Sequence, residues 1–311
     1  MLYGWLLAIW RLLQRLLEAK RRRNQRGTGR DRKTSRARCV PIDREAFVRP
    51  DPLIYDQYYL SKLGLAVTWD NPDIQLWKSG MPVSSSLLEP DTDYTVVARV
   101  SNASFEAPVV QMPVHFSYLD FGMGGVSVPI GTTTLTIGVK GSASEPGLTS
   151  VTWHTPAQAG HYCLQVRLAP IDDANFGNNL GQENTNVGHA SSPAVFTFAL
   201  RNDTHRQHRY RFEVDAYTIP PREPCDPNRD TAEDRRRRLG KHAAGQHPLP
   251  AGWSVVITPA DPVLAPGQQI VEKAVVTPPS GWSGSRAINV NAYREGDLAG
   301  GVTLTVVSGA S

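Results

Sequence analysis

The sequence predicts an all-β protein: two tandem β-sandwiches preceded by an N-terminal amphipathic helix and a basic flexible linker. Three observations predict it. Short runs that alternate apolar and polar residues recur through residues 51–311, separated by turn-forming clusters. Gly and Pro number 26 and 24 in 311 residues, a content that suits many turns better than long helices. The net positive charge comes from one end. Residues 1–38 hold twelve Lys or Arg against Glu18 and Asp31, so with a net charge of +4 the remaining chain is acidic.

With 40% apolar residues, the chain has room for two domains of roughly 150 residues and their cores. The strand signal is clearest at Gly160–Leu168. Tyr162, Leu164, Val166 and Leu168 share one face, and Cys163, Gln165 and Arg167 are expected on the outward face. Tyr162 also reads as a tyrosine corner, a buried ring whose hydroxyl pins a strand connection. A dense Asp and Asn turn, Asp172 to Asn179, follows.

Residues 51–193 form the first expected sandwich. Its strands are Leu63–Trp69, Ile74–Trp77, Tyr94–Val100, Val114–Tyr118, Thr134–Val139 and Leu148–Trp153, with Gly122–Gly125 as a hairpin turn. Residues 194–311 form the second. Ala194–Leu200 and Tyr210–Tyr217 are expected as a hairpin, followed by strands at Trp253–Ile257, Ile270–Val276, Ala287–Ala292 and Val302–Val307. A polar insertion at 221–248, with four consecutive arginines at Arg235–Arg238, is expected as a surface loop.

Residues 1–19 carry an amphipathic pattern. Leu2, Trp5, Leu6, Ile9, Trp10, Leu12, Leu13, Leu16 and Leu17 cover one broad helical face, with Arg11, Gln14, Arg15 and Glu18 opposite. The apolar run breaks at Arg11, well short of the ~20 residues that span a bilayer. Trp5, Trp10, Arg11, Arg15, Lys20, Arg21, Arg22 and Arg23 are therefore the expected contacts with an anionic membrane surface. Packing on a partner helix or on the protein's own body, and a short signal anchor, are the alternatives. Residues 20–50 read as a basic disordered linker. Its basic stretch, Lys20–Arg38, lacks aromatic residues for base stacking, which argues against a nucleic-acid partner. The positive-inside tendency favours the cytoplasmic face, with extracellular or periplasmic placement left open.

Chemistry-bearing motifs are sparse. The sequence contains no phosphate loop, GxSxG, HExxH or CxxC, so no catalytic residue and no cofactor is assigned. Cys39 and Cys225 stand in loop-like sequence, and their pairing is left open. His154, His161 and Cys163 are the one nucleophile-and-base combination worth testing, provided that the thiol is exposed. Asp172, Asp173, Asn175 and Asn178 offer oxygens to a hard cation, with Glu183 as the bidentate ligand such a site needs. A hydrogen-bonded turn is the preferred alternative. His205 and His208 fall in a presumed hairpin turn.

The first sandwich resembles the CARDB family (cell-adhesion-related domain of bacteria), which are Ig-like modules. The resemblance rests on Pro72-Asp73-Ile74, Val96–Asn102 before Ala107-Pro108, Trp153 followed by Gly160-His161-Tyr162, and the Asp172…Asn175…Asn178-Asn179 ending. Phe176-Gly177 departs from the acidic residues usual before the Asn pair. The second sandwich resembles NPCBM-associated Ig-like domains at Leu249–Trp253, Leu264–Gly267, Val276–Pro279 and Gly300-Gly301-Val302. These resemblances imply two tandem Ig-like folds and a non-enzymatic binding, adhesion or scaffold protein with an unknown protein or glycan partner. An accessory carbohydrate-binding role is the alternative, with Trp69, Trp77, Trp282 and Tyr293 as candidate sugar platforms.

Overall fold

The computed structural model describes residues 49–120, 122–187, 195–221 and 231–307. The helix expected at 1–19, the linker to residue 48, and Cys39 and Cys225 lie outside them. Four sheets, antiparallel except for the β6–β11 pair, enclose two hydrophobic cores.

Two sheets face each other across the first core. One is built on β4 (Asp93–Asn102), which pairs with β1 (Pro52–Leu53), β2 (Ile74–Lys78) and β8 (Gly147–His154); β3 (Met81–Val83) extends it beyond β2. The other runs in the order β10 (Leu180–Val187), β9 (Gly160–Leu168), β5 (Val109–Asp120), β7 (Ser127–Ile137). Period-two alternation places Tyr94, Val96, Ala98 and Val100 of β4 opposite Tyr162, Leu164, Val166 and Leu168 of β9, all buried. Tyr162 is a tyrosine corner: its hydroxyl donates to the Gln158 carbonyl at 2.8 Å.

The second core lies between two further sheets. One takes the order β13 (Ser254–Thr258), β15 (Gln269–Thr277), β11 (Val195–Arg201), β6 (Gly122–Met123). The other takes the order β14 (Val263–Leu264), β12 (His208–Asp215), β16 (Ser285–Arg294), β17 (Asp297–Val307). Each half uses one buried asparagine to tie off a turn. Asn102 accepts from the Asp51 and Ser104 amides and donates to the Ala107 and Gly138 carbonyls. Asn202 donates to the Arg206 and Leu264 carbonyls and accepts from the Thr204 amide.

Several sequence expectations are corrected. Leu63–Trp69 is no strand. It is an extended segment following the short helix α1 (Gln57–Lys62), bridged only at Leu65 to Ala243. Gly122 and Met123 form a strand where a turn was expected, because the tip of the β5–β7 connection reaches the second core and pairs with β11. β11 and β12 do not pair as a hairpin; they belong to opposite sheets, and the chain crosses between sheets through 202–207. The expected loop at 221–248 contains helix α2 (Ala232–Gly240), started by a capping box between Thr231 and Asp234. Cys163, expected on an exposed face, is 3% exposed: β6 contacts β9, and Tyr58 of α1 lies near the thiol.

One buried group stands apart. Glu272 of β15 shares the inward parity of Ala274 and Val276, is fully buried, and neither carboxylate oxygen meets a hydrogen-bond partner. Glu183, equally buried, accepts from the Asn71 amide. Desolvation pushes the Glu272 carboxyl up to about 7. Its folded affinity for the proton thus exceeds that of the unfolded chain, so stability is complete below the unfolded carboxyl's range and falls as pH rises toward 7. Glu272→Gln is expected to match the wild type in urea midpoint at pH 4 and to exceed it at pH 8. A difference that stays constant between these pH values would contradict the assignment.

Candidate functional site at the joint between the cores

The largest concentration of buried polar chemistry lies where the two halves meet. Asp56 caps α1 by accepting from the Tyr59 amide at 2.9 Å, and also accepts from the Leu180 amide of β10 at 2.9 Å. Burial pushes its carboxyl up to about 6 against these donors. Gln57, fully buried, donates to the Thr68 and Gln182 carbonyls at 3.2 and 2.7 Å. The helix therefore fixes the start of segment 63–71 against the free edge of β10, and the Trp69 carbonyl accepts from the Asn184 amide at 2.9 Å.

Trp69 is the centre of the joint. Its side chain is 1% exposed and meets Tyr58 edge-on, with ring centroids 6.0 Å apart. The indole lies across Gly301 of β17, where any Cβ would overlap it. The register that allows this is set by the β16–β17 hairpin, which turns at Glu295-Gly296, both at positive φ, and places Asn291 opposite Gly301 and Asn289 opposite Thr303. Gly300 and Gly301, which stand just before the strand expected at Val302–Val307, are interior positions of β17.

Two hydrogen-bonded arms run from Trp69 and converge on Asp215. Along one, the indole Nε1–H donates to Asn291 Oδ1 at 2.9 Å, and Asn291 Nδ2 donates to Asp215 Oδ2 at 3.0 Å. Along the other, the Trp69 amide donates to the Thr303 hydroxyl at 2.9 Å. Thr303 donates to Asn289 Oδ1 at 2.7 Å, and Asn289 Nδ2 donates to Asp215 Oδ1 at 2.7 Å. An ionised carboxylate is acceptor-only, so Asp215 orients both amides with their oxygens toward the first half. Desolvation raises the Asp215 pKa, opposed first by the Asn289 hydrogen bond.

Two further contacts frame this network. Residues following α2 pack on 64–66: the Ala66 amide donates to the His242 carbonyl at 2.8 Å and the Ala244 amide to the Gly64 carbonyl at 2.9 Å. His242 also bonds the Tyr217 hydroxyl at 2.7 Å, and burial lowers the imidazole pKa to about 4. On the other side β6 adds a parallel strand to β11, and Gly124, at positive φ, passes so close to the Arg201 carbonyl that no side chain fits. The first half thus grips both sheets of the second.

The sequence-predicted site residues are distributed as follows. Trp5, Trp10, Arg11, Arg15, Lys20, Arg21, Arg22 and Arg23 lie outside the described residues. Asp172 pairs with Arg49. Asp173 accepts from the Asn175 amide at 2.8 Å and from Asn179 Nδ2 at 2.7 Å. Asn175 accepts from the Gly177 amide, and Asn178 donates to Asp51. Each of these four side chains makes a bond within the protein, Asn178 Oδ1 is buried without a hydrogen-bond partner, and Glu183 is turned to Asn71. Among the described residues no group of three His, Cys, Asp or Glu side chains is placed to hold a metal ion.

The candidate nucleophile group is dispersed. His154, on β8, is exposed between Asp93 and Asp91 at 2.8 and 3.0 Å, which raise its pKa. His161 and Cys163 lie on β9, in the opposing sheet; desolvation lowers the His161 pKa to about 4 and pushes the Cys163 thiol up. Of the candidate sugar platforms, Trp69 is enclosed in the joint. Trp77, Trp282 and Tyr293 are half-buried, with Trp282 edge-on to Trp253 at 4.8 Å.

Sequence reasoning missed Asn289, Asn291, Asp215 and Thr303, whose outward strand parity reads as solvent-facing. One signal could have found them: a Gly pair inside a strand pattern marks close approach by another group.

No protein-family model matches the sequence, and no curated protein matches it. Solved structures similar to it include red sea bream transglutaminase (10% identity, TM-score 0.24, 81% of this chain and 33% of that one). Escherichia coli alpha-2-macroglobulin activated by porcine elastase shows 14% identity and a TM-score of 0.23, over 76% of this chain and 22% of that one. A chitin binding domain from Burkholderia pseudomallei shows 11% identity and a TM-score of 0.21, over 34% and 57%. The chain spans a third or less of the length of the first two proteins, and scores this low carry no functional argument.

Gly301→Ala forces the Trp69 indole off β17 and is expected to cost about 1–3 kcal/mol, the range for overpacking a tight contact. In a Trp69→Ala background the same change is expected to cost little, giving a double-mutant coupling of similar size by denaturant unfolding. Additive costs would show that the two residues do not meet as described.

Proposed function

We propose that the chain is a non-enzymatic protein of two tandem Ig-like domains. It acts as a binding, adhesion or scaffold module held at an anionic membrane surface by residues 1–50. The observation that carries this reading is the joint. The buried chemistry around Trp69 and Asp215 is spent on fixing one half against the other, with each donor and acceptor of the two arms matched within the protein. A fixed pair of sandwiches suits presentation of loops and strand edges to a protein or glycan partner. Burial of Cys163 and the separation of His154 from His161 support the non-enzymatic reading over a thiol nucleophile.

The membrane half of the proposal rests on sequence. Leucines and two tryptophans share one helical face, and Lys20–Arg38 carries ten basic residues against one acidic. Each Lys or Arg near an anionic leaflet contributes about 1 kcal/mol before screening. The intact chain is expected to co-sediment with phosphatidylserine-containing vesicles and much less with neutral ones, and to lose binding in 0.5 M salt. Replacing Arg11, Arg15 and Lys20–Arg23 by Gln is expected to abolish it. Equal, low recovery on both vesicle types would overturn the anchor.

A further inference from the structure

We propose that the free edge of β13 is a self-association surface, on which two copies of the chain pair their β13 strands antiparallel about a two-fold axis at Val256. This does not rest on the function proposed above.

The edges of the four sheets are treated very differently. β1, β6 and β14 are two residues long, and β3 is three residues with Pro82 at its centre. The outer edge of β10 is capped by Gln57, Asn71 and the Trp69 carbonyl. β7 and β8 close on each other through Thr133 and Thr149, with Gly131 beneath Val151. β17 is held along its middle by α1 and the 68–69 segment. β13 has none of these protections. It is five residues long, has β15 on one side, and among the described residues makes no backbone bond on the other. Its sequence, Ser-Val-Val-Ile-Thr, has no charge, proline or glycine. An open, apolar, uncharged edge is a template for another strand.

The outward face explains why that strand is a second β13. Register aligns Val256 with Val275, and Val275 with Val195, in one cross-strand row. Val256 is 59% exposed and Val195 41%. Pairing about Val256 sets it opposite its own copy, making that row continuous across both sheets. Thr258 then stands opposite Ser254 of the other copy, so hydroxyl faces hydroxyl. The outward charge beside this strand is Lys273, which shares a row with Thr258. The two-fold carries that row onto Ser254 and Thr277 of the second copy, so the two lysines occupy different rows. The strand thus matches itself in polarity and opposes no like charges.

Sedimentation velocity of the intact chain over a hundredfold concentration range tests this, with Val256→Lys as the disrupting variant. The wild type is expected to shift from monomer to dimer. Val256→Lys sets like charges face to face and is expected to raise the dissociation constant at least tenfold, while leaving the circular dichroism spectrum and the thermal midpoint unchanged at dilutions where both proteins are monomeric. Under mild oxidation Val256→Cys is expected to yield a disulfide-linked dimer in large excess over Val271→Cys, which lies on β15 and is equally open. A wild type that stays monomeric throughout, a dimer indifferent to Val256→Lys, or equal cross-linking of the two cysteine variants would overturn the proposal.

Discussion

The arrangement of the two cores depends on one carboxylate. Asp215 accepts both amide groups of Asn289 and Asn291 and so fixes which way each points. With those amides set, one oxygen faces the Trp69 indole N–H directly, and the other faces the Thr303 hydroxyl that receives the Trp69 amide. Reverse either amide and its oxygen meets the Asp215 carboxylate, acceptor against acceptor; at Asn291 the amide nitrogen would also meet the indole N–H, donor against donor. In a buried setting such a mismatch costs roughly the full desolvation of the orphaned group, about 1–3 kcal/mol. The network therefore specifies a single seat for Trp69. The apolar burial of its ring supplies attraction, and the hydrogen bonds supply register.

Glycine makes the seat possible. A strand interior is a poor place for Gly on conformational grounds, since it forfeits side-chain packing and entropy. At position 301 that deficit is offset by a tryptophan lying where a side chain would have been. The same logic holds at Gly124, where backbone passes against backbone as β6 joins β11. One half reaches the other at two points, one on each sheet, and such contacts resist hinge motion in a way that a single linker would not.

Much of the fold was legible in the residues. Alternation located β2, β4, β5, β8, β9 and the main strands of the second core, because a half-buried strand must show its period wherever one face is wet. The tyrosine corner at Tyr162 was legible for the same local reason. What failed was mostly what contacts distant in sequence decide. Cys163 has the parity of an exposed residue, yet Tyr58 of α1 and β6 lie against its side of β9. Leu63–Trp69 has strand composition, yet its hydrogen bonds go to helix, loop and the opposite half. The arginine run at 235–238 looked like solvated loop, although the Thr231–Asp234 capping box just before it announces a helix start. Asn289 and Asn291 looked like wet-face residues because nothing local says what covers them. The connection from β11 to β12 illustrates a further limit: two alternating strands joined by a polar segment may form a hairpin or a sheet crossing with the same sequence pattern.

A joint of this kind gives the chain a mechanical character with consequences for binding. Surfaces on opposite halves keep a fixed spacing, so a partner touching both gains without ordering a hinge. It also makes the two cores depend on each other, since unfolding one exposes the unmatched polar groups of the other. Calorimetric unfolding of the intact chain tests this dependence most directly. Coupled cores are expected to give one transition whose calorimetric and van't Hoff enthalpies agree. Two resolved transitions, each with its own midpoint, would contradict the account.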